Sequence, residues 1–378
     1  MAKTLPAANA AASQDTAAAV VDAVIAVHRA ERPVARTVAS VLDGNQTPCR
    51  AIVVAHNIDA DLIRTALGKW GNDPRVTLIE HRDGIPSPAG PMNAGFEAAR
   101  APFVTLVGSD DTLEAGAVDR WVKMAQDPKN PADFVIANRL EPEGGNAPTP
   151  PVRRSRRANL DGVKDRLVYR MSALGLLRRS TLGHLRFPEG TPTGEDTLFA
   201  TRIWFGGVRV SFAFGPPGYR VHADQDVRIT TSARPAGEEL QFLSTLLDPA
   251  QPWMQRKRQR RALVTKLLRS NVLDTANNQL RSGWTSDAAA SLATITRRLL
   301  ALDPAAAHAL SVSEWAVIRA LSSGRATGEE IARLQAKRAH LRSLKTVLPA
   351  RPWALFSAQG PLRYHMAGSR LARERNTQ

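Results

Sequence analysis

Two pairs of adjacent carboxylates are the first residues in this 378-residue chain whose type and spacing could do chemistry. Asp110-Asp111 follow the apolar run Phe103-Val104-Thr105-Leu106-Val107, and Glu195-Asp196 lie in Thr193-Gly194-Glu195-Asp196-Thr197-Leu198-Phe199. Neighbouring carboxylates cannot both leave water cheaply without a cation or hydrogen-bond donors. A hard divalent ion, held by one or two carboxylates and by substrate phosphates, would satisfy Asp110-Asp111. The plainer alternative is an acidic turn in which one of the two caps a helix from Leu113 onward. For the second pair, one reading is a general base that takes a proton from a hydroxyl. The other is stabilisation of a helix N-terminus, worth about 0.3–1 kcal/mol. A third group, Gly218-Tyr219-Arg220-Val221-His222 with Gln225-Asp226-Val227-Arg228 behind it, offers cations for phosphate and an imidazole. A lone histidine is more often a hydrogen-bonded structural residue than a ligand.

The elements that must position these groups can be read from periodicity. Ala23–Val27, Ala51–Val54, Val76–Ile79 and Phe103–Val107 have strand length and apolar content. Between them lie helical stretches: Pro33–Leu42, where Val34, Val38, Val41 and Leu42 share a face, then Leu62–Trp70 and Met92–Arg100. Strand–helix alternation with short connections predicts an α/β fold, a mostly parallel sheet covered by helices on both faces. In such sheets ligands bind beyond the carboxyl ends of the strands, which is where Asp110 and Asp111 fall. Residues 141–157 read as an exposed, mobile loop. Leu174–Leu177 and Val208–Phe212 read as further strands flanking a helix that begins near Glu195. From about Pro235 strand signals almost vanish. Ser286 is placed to cap a helix with Leu292, Ile295, Leu299 and Leu302 on one side. Thr327-Gly328-Glu329-Glu330 has capping-box form, with Ile331, Leu334, Leu341 and Leu344 continuing an apolar face.

The succession Val24-Ile25-Ala26-Val27-His28-Arg29, Val38-Ala39-Ser40-Val41-Leu42, Ala51-Ile52-Val53-Val54, Pro91-Met92-Asn93-Ala94-Gly95, Val107-Gly108-Ser109-Asp110-Asp111 resembles the nucleotide-sugar domain of family-two inverting glycosyltransferases. The resemblance covers roughly residues 20–230. It implies a GT-A (Rossmann-like) fold and a nucleotide-diphosphate sugar donor, UDP-linked before other bases. It also implies a Mn²⁺ or Mg²⁺ ion bridging the diphosphate. Carried over residue by residue, Asp110 faces the ribose, Asp111 holds the metal, and Asp196, with Glu195 beside it, is the general base near the acceptor. His222 completes the metal shell, and Arg220 or Arg228 binds phosphate. Val27, Asn93 and Ser109 are expected to line the nucleotide site. Departures from the family pattern occur at Val54-Ala55-His56-Asn57, where many members carry Asp after the second strand, and at Gly108, where an acidic residue is common. His56 or Asn57 would then meet the base. His28 and Arg29 stand where an aromatic–Asn pair is commoner.

Charge divides the chain. The formal net charge is +16, and residues 236–378 hold 22 Lys and Arg against 10 Asp and Glu. We therefore expect a flexible N-terminus over 1–19, a catalytic domain over 20–234, and a basic α-helical domain over 235–378. The densest basic run is Trp253–Arg261, with Lys266, Arg269 and Arg281 extending it. It is a solvated helix face, a peripheral contact with anionic lipid, or a grip on a glycan or anionic polymer acceptor. The helices could also join copies into a homo-oligomer. Nothing resembles a nucleic-acid-binding motif, and Trp315, Trp353 and Tyr364 read as core or helix-packing residues. The single Cys49 excludes a disulfide framework. No uninterrupted apolar run reaches about 18 residues, and the alanine-rich start makes a poor signal peptide. The expectation is therefore a cytoplasmic enzyme, working at the inner face of the cell membrane, that builds envelope polysaccharide. The rival expectation is a non-catalytic GT-A-like scaffold acting through its basic third. A dinucleotide-dependent oxidoreductase is disfavoured because no Gly-x-Gly-x-x-Gly follows the first strand.

Overall fold

The computed structural model describes residues 18–142, 147–190, 193–223, 234–340 and 343–373. Its first half alternates β1 (Val21–Val27), α1 (Val34–Leu42), β2 (Cys49–His56), α2 (Ala60–Ala66), β3 (Val76–His81), α3 (Ala89–Ala98) and β4 (Phe103–Leu106). A two-residue strand β5 (Thr112–Leu113) leads into α4 (Ala117–Ala125), then β6 (Phe134–Ala137) and β7 (Arg139–Leu140). After these come β8 (Gly175–Arg178), α5 (Arg179–Leu182), α6 (Glu195–Phe205), β9 (Val210–Ala213) and β10 (Tyr219–Arg220). The main sheet has the order β3-β2-β1-β4-β8-β6-β9. The described pairings are parallel except those of β8, which runs antiparallel to both β4 and β6. A small second sheet, β5-β10-β7, sits beyond it.

Alternation along each buried strand sorts side chains to two faces. Ala23, Ile25, Ala51 and Val53 pack with α1, α2 and α4, through Val38, Ile63 and Trp121 among others. Val24, Ile52, Val54, Phe134 and Ile136 point the other way, toward α3 and α6. Strands buried on both faces read as continuous apolar runs, which is why β1, β2 and β4 were visible in the sequence. Two elements were not. The Phe134–Ala137 run is only four residues long, and the apolar face of α4 is interrupted by Asp119, Arg120 and Lys123.

The remaining chain is helical: α7 (Ala236–Glu239), α8 (Leu243–Leu246), α9 (Pro252–Gln255), α10 (Lys257–Lys266), a π-helical turn at Leu267–Val272, and α11 (Leu273–Ser282). Then follow α12 (Ser286–Leu302), α13 (Val312–Ser323), α14 (Gly328–Ala339), α15 (Leu344–Val347) and α16 (Pro361–Arg373). Leu246, Leu263, Leu267, Leu292 and Ile318 share one apolar cluster with Phe134, Ile136 and the inner side of α6. The helices thus close one face of the sheet.

Several local expectations shift. The cap of α12 is Thr285, whose side chain accepts from Ala288 N–H, rather than Ser286. Thr327 caps α14 as expected, while the complete reciprocal capping box belongs to Ser311 and Glu314 at α13. The proposed loop 141–157 is partly anchored: Val152 is fully buried and Arg153 pairs with Asp165 at 2.7 Å. Lys266 and Arg269 do not extend a basic face, because both are buried. Arg269 binds Glu314 at 2.9 Å and Tyr169 Oη at 2.8 Å, so this cation is an internal tie. Leu344 does not continue the apolar face of α14 but is 71% exposed on α15, and Trp353 is 70% exposed.

Candidate active site

The Asp110-Asp111 turn lies at the carboxyl end of β4 and is stapled to the start of α1. Arg32 ion-pairs with the Asp110 carboxylate, and Arg36 Nη2 donates to the Asp110 carbonyl at 2.6 Å. Thr37 Oγ1 donates to the Asp111 carbonyl at 2.8 Å. Neither aspartate caps a helix: β5 follows immediately, and α4 begins only after Gly116, which takes a left-handed conformation with φ 80°. That removes the plainer reading of the pair.

Asp111 is held from the second sheet. Tyr219 Oη donates to its Oδ2 at 2.6 Å, and the His222 backbone N–H donates to its Oδ1 at 3.1 Å. Gly108 N–H in turn donates to Tyr219 Oη at 2.9 Å. His222 is brought beside Asp111 as the sequence suggested, but through its backbone. Its Nε2 lies 2.8 Å from Thr112 Oγ1. Among the described residues no group of three or more His, Cys, Asp and Glu side chains is arranged to hold a metal. A cation here would therefore take Asp111 and draw its other ligands from phosphate and water, a donor set that suits Mg²⁺ or Mn²⁺. Arg220 is committed elsewhere, to Glu114 at 2.6 Å. Ser109 is buried in the turn. Arg228 lies outside the described residues.

A second cluster forms where β1, β2 and β3 end. Val27 closes β1 with its side chain buried, and His28 follows, half-buried. Burial, then the nearby Arg32 and Arg29, hold the His28 imidazole below its ordinary pKa, so it is neutral at pH 7 and Arg29 beside it is exposed. His56 Nε2 sits 2.9 Å from Asp83 Oδ1, and Asn57 Nδ2 donates to the same oxygen at 3.1 Å. Asn57 adopts φ 54°, a left-handed conformation that asparagine tolerates better than most residues, and its Oδ1 accepts from the backbone N–H of Asp83 and Gly84. Burial pushes the Asp83 carboxyl up, but hydrogen bonds from Ile85 N–H, His56 and Asn57 outweigh it and keep the group well below the usual carboxylate range. Asp83 was not singled out from the sequence. It nevertheless supplies, from the end of β3, a carboxylate beside the segment where Ala55 lacks one.

Asn93 has a different job from the one expected. Its amide accepts from Phe187 N–H at 2.8 Å and donates to the Phe187 carbonyl at 3.0 Å and to Glu189 Oε1 at 2.8 Å. It ties α3 to the segment that leads toward Glu195 and Asp196.

Those two carboxylates open α6, after Gly194 at φ 80°. A Cβ at Gly194 would collide with the Phe242 ring, so the approach of the helical region to this turn requires glycine. Thr193 Oγ1 also donates to the Glu239 carbonyl at 3.1 Å. Burial, then the charge of Glu195, push the Asp196 carboxyl up to about 7. Glu195 is raised as well, chiefly by burial. No described residue donates a hydrogen bond to the Asp196 carboxylate. A half-buried carboxyl raised to about 7, with no donor among the described residues, can accept a proton from a bound hydroxyl.

The comparisons with known proteins meet this geometry at the same place. The model of the family described as Glycosyl transferase family 2 matches residues 22–186, from β1 through the Asp110-Asp111 turn to the segment held by Asn93. Residues 22–186 are thus similar to a glycosyl transferase family 2 domain. Over 203 residues the chain is 22% identical to poly(ribitol-phosphate) β-N-acetylglucosaminyltransferase TarP of Staphylococcus aureus strain N315, covering 52% of this chain. The chain spans 58% of the length of that relative. The structure of S. aureus TarS residues 1–349 in complex with UDP-GlcNAc superposes with a TM-score of 0.68 at 13% identity, covering 84% of this chain and 91% of that one. Against full TarS the TM-score is 0.63 and the match covers 55% of that chain. The shared architecture is GT-A, and the transferase domain is continued by helices that the structural match extends into.

Proposed function

We propose that this protein is an inverting glycosyltransferase that moves a sugar from a UDP-linked donor to a hydroxyl of an anionic cell-envelope polymer. The observation that carries the reading is the Asp196 carboxyl, raised to about 7 and without a donor among the described residues, ten residues beyond the segment that matches glycosyl transferase family 2. The relatives support the substrate classes: TarP is named for transferring N-acetylglucosamine to poly(ribitol-phosphate), and TarS is described with UDP-GlcNAc.

In this mechanism Asp196 takes the proton of the acceptor hydroxyl as its oxygen attacks the anomeric carbon. The bond from that carbon to the diphosphate oxygen breaks on the opposite face, and the configuration inverts. Glu195 keeps Asp196 protonation-poised by charge repulsion. Asp110, oriented by Arg32, would meet the ribose, and His28, His56, Asn57 and Asp83 would face the base. A Mn²⁺ or Mg²⁺ ion held by Asp111 would supply charge neutralisation for the leaving diphosphate. The catalytic unit would be residues 20–234, with the basic helices of 235–378 positioning the polymer at the inner face of the cell membrane.

Asp196→Asn tests this directly. Transfer from UDP-GlcNAc to poly(ribitol-phosphate) should fall by about 10²–10⁴-fold while donor affinity stays near wild type. Full turnover in the variant would remove Asp196 from the mechanism.

A further inference from the structure

The described residues between Leu344 and Met366 carry a surface that neither the transferase domain nor the donor site explains. In the sequence, residues 331–373 hold nine Lys and Arg and no Asp or Glu. Among them stand large apolar side chains in water: Leu344 at 71% exposure, Trp353 at 70%, Phe356 at 75% and Met366 at 64%. A folded chain rarely leaves contiguous large apolar side chains in solvent without a partner.

These groups share one region. Leu344 and Leu348 are one helical turn apart, and Val312 N–H bonds the Leu348 carbonyl at 3.1 Å, bringing the exposed Val312 alongside. The Trp353 ring meets His308 edge-on with centroids 5.6 Å apart, and Arg351 stacks over it at 5.8 Å. Helix α15 packs on α16, which carries Met366 and the exposed Arg363.

We propose that this face docks the protein on an anionic lipid bilayer, with Trp353, Phe356 and Leu344 entering the headgroup boundary and Lys345, Arg351 and Arg363 meeting lipid charge. Aromatic and leucine side chains interleaved with cations are the composition of an interfacial anchor. A hydrophilic polyanion would use the cations but leave the exposed indole and phenyl rings without a role, so lipid fits the combination better than polymer. No helix among the described residues is long and apolar enough to cross a membrane, so the contact is peripheral. It also displaces the earlier candidate: in the Trp253–Arg261 run, Trp253 and Met254 are buried, leaving that run no apolar anchor. The proposal is independent of the transferase reading, because docking needs neither donor nor acceptor.

Vesicle co-sedimentation of the full chain tests it, using phosphatidylcholine alone and phosphatidylcholine with about 30% phosphatidylglycerol. The protein should sediment with the anionic vesicles, should not with the neutral ones, and should dissociate as salt rises toward about 0.5 M. Trp353→Ser/Phe356→Ser should lower partitioning by about tenfold or more, and Lys345→Glu/Arg351→Glu by a similar factor. All four side chains are exposed, so melting temperatures should stay near wild type. Equal binding to both vesicle types, or undiminished binding by both variants, would overturn the proposal. So would a dimer that Trp353→Ser/Phe356→Ser dissolves in the absence of any vesicle binding, which would give the face to a second copy.

Discussion

Asp196 and Asp111 sit in different surroundings although both are aspartates of adjacent acidic pairs. Asp111 accepts from Tyr219 Oη and the His222 N–H, whereas Asp196 is raised to about 7 by burial, then by Glu195. The kinetic consequence is a rate that climbs with pH and levels off above about 7, once the base is ionised. Stability has the opposite sign. A carboxyl whose folded pKa exceeds its unfolded value of about 3.9 favours the fold while protonated, and that contribution disappears as pH rises through the folded value. Asp196→Asn should therefore melt higher than wild type at pH 8, with the gap closing toward pH 5; a pH-independent difference would contradict the raised pKa. Asp111→Ala should weaken binding of UDP in the presence of Mn²⁺ while leaving the much weaker binding in EDTA unchanged, read by calorimetry. The order of Asp110, Asp111, Glu195 and Asp196 along the chain is what singles these four out as candidates in the sequence. Tyr219, Arg32, Arg36 and Asp83 were not, because each acts on a residue about 27 to 108 positions away, and only the closed sheet brings them together.

At the level of elements, the parallel strands and α1 were readable because burial on both faces writes continuous apolar runs. What escaped is what depends on partners. The antiparallel insertion of β8 between β4 and β6 follows from pairing, not from the Gly175–Arg178 run itself. Asn93 lay in a motif that suggested nucleotide contact, yet its amide is spent on Phe187 and Glu189, which no local pattern could announce. Asn93→Ala should then lower turnover more than UDP affinity, since it loosens the approach to Asp196 and not the diphosphate turn; steady-state kinetics beside calorimetry would show the split. Gly194 is a tight joint between α6 and the helical region. Gly194→Ala adds a left-handed cost of about 1–2 kcal/mol to a collision with Phe242, and should lower the melting temperature measurably.

Across the whole molecule, the basic third is not uniform surface charge. Part of it is architecture: Arg269 lies at the centre of a buried network with Glu314, Tyr169 and the Gln359 and Ala309 carbonyls, tying the π-helical turn to α13 and to the sheet domain. Removing one partner of such a buried pair is strongly destabilising, so Arg269→Ala should cost about 3–5 kcal/mol in denaturant unfolding. Composition alone made every arginine look like surface charge, and only burial separates this one from Arg256 or Arg258. The shared apolar cluster also means that the catalytic fold and the helices should melt in one transition, and that residues 20–234 alone should expose the Phe134–Ile136 face. Two well-separated calorimetric transitions would argue for independent units.

Transfer as proposed requires that the Asp110-Asp111 turn bind a nucleotide-diphosphate sugar. Calorimetric titration of UDP-GlcNAc into the full chain with Mn²⁺ tests it most directly. The expected result is one-site binding that EDTA or Asp111→Ala greatly weakens and that Asp196→Asn retains. No detectable binding of UDP-GlcNAc or UDP at concentrations of about 1 mM would contradict it.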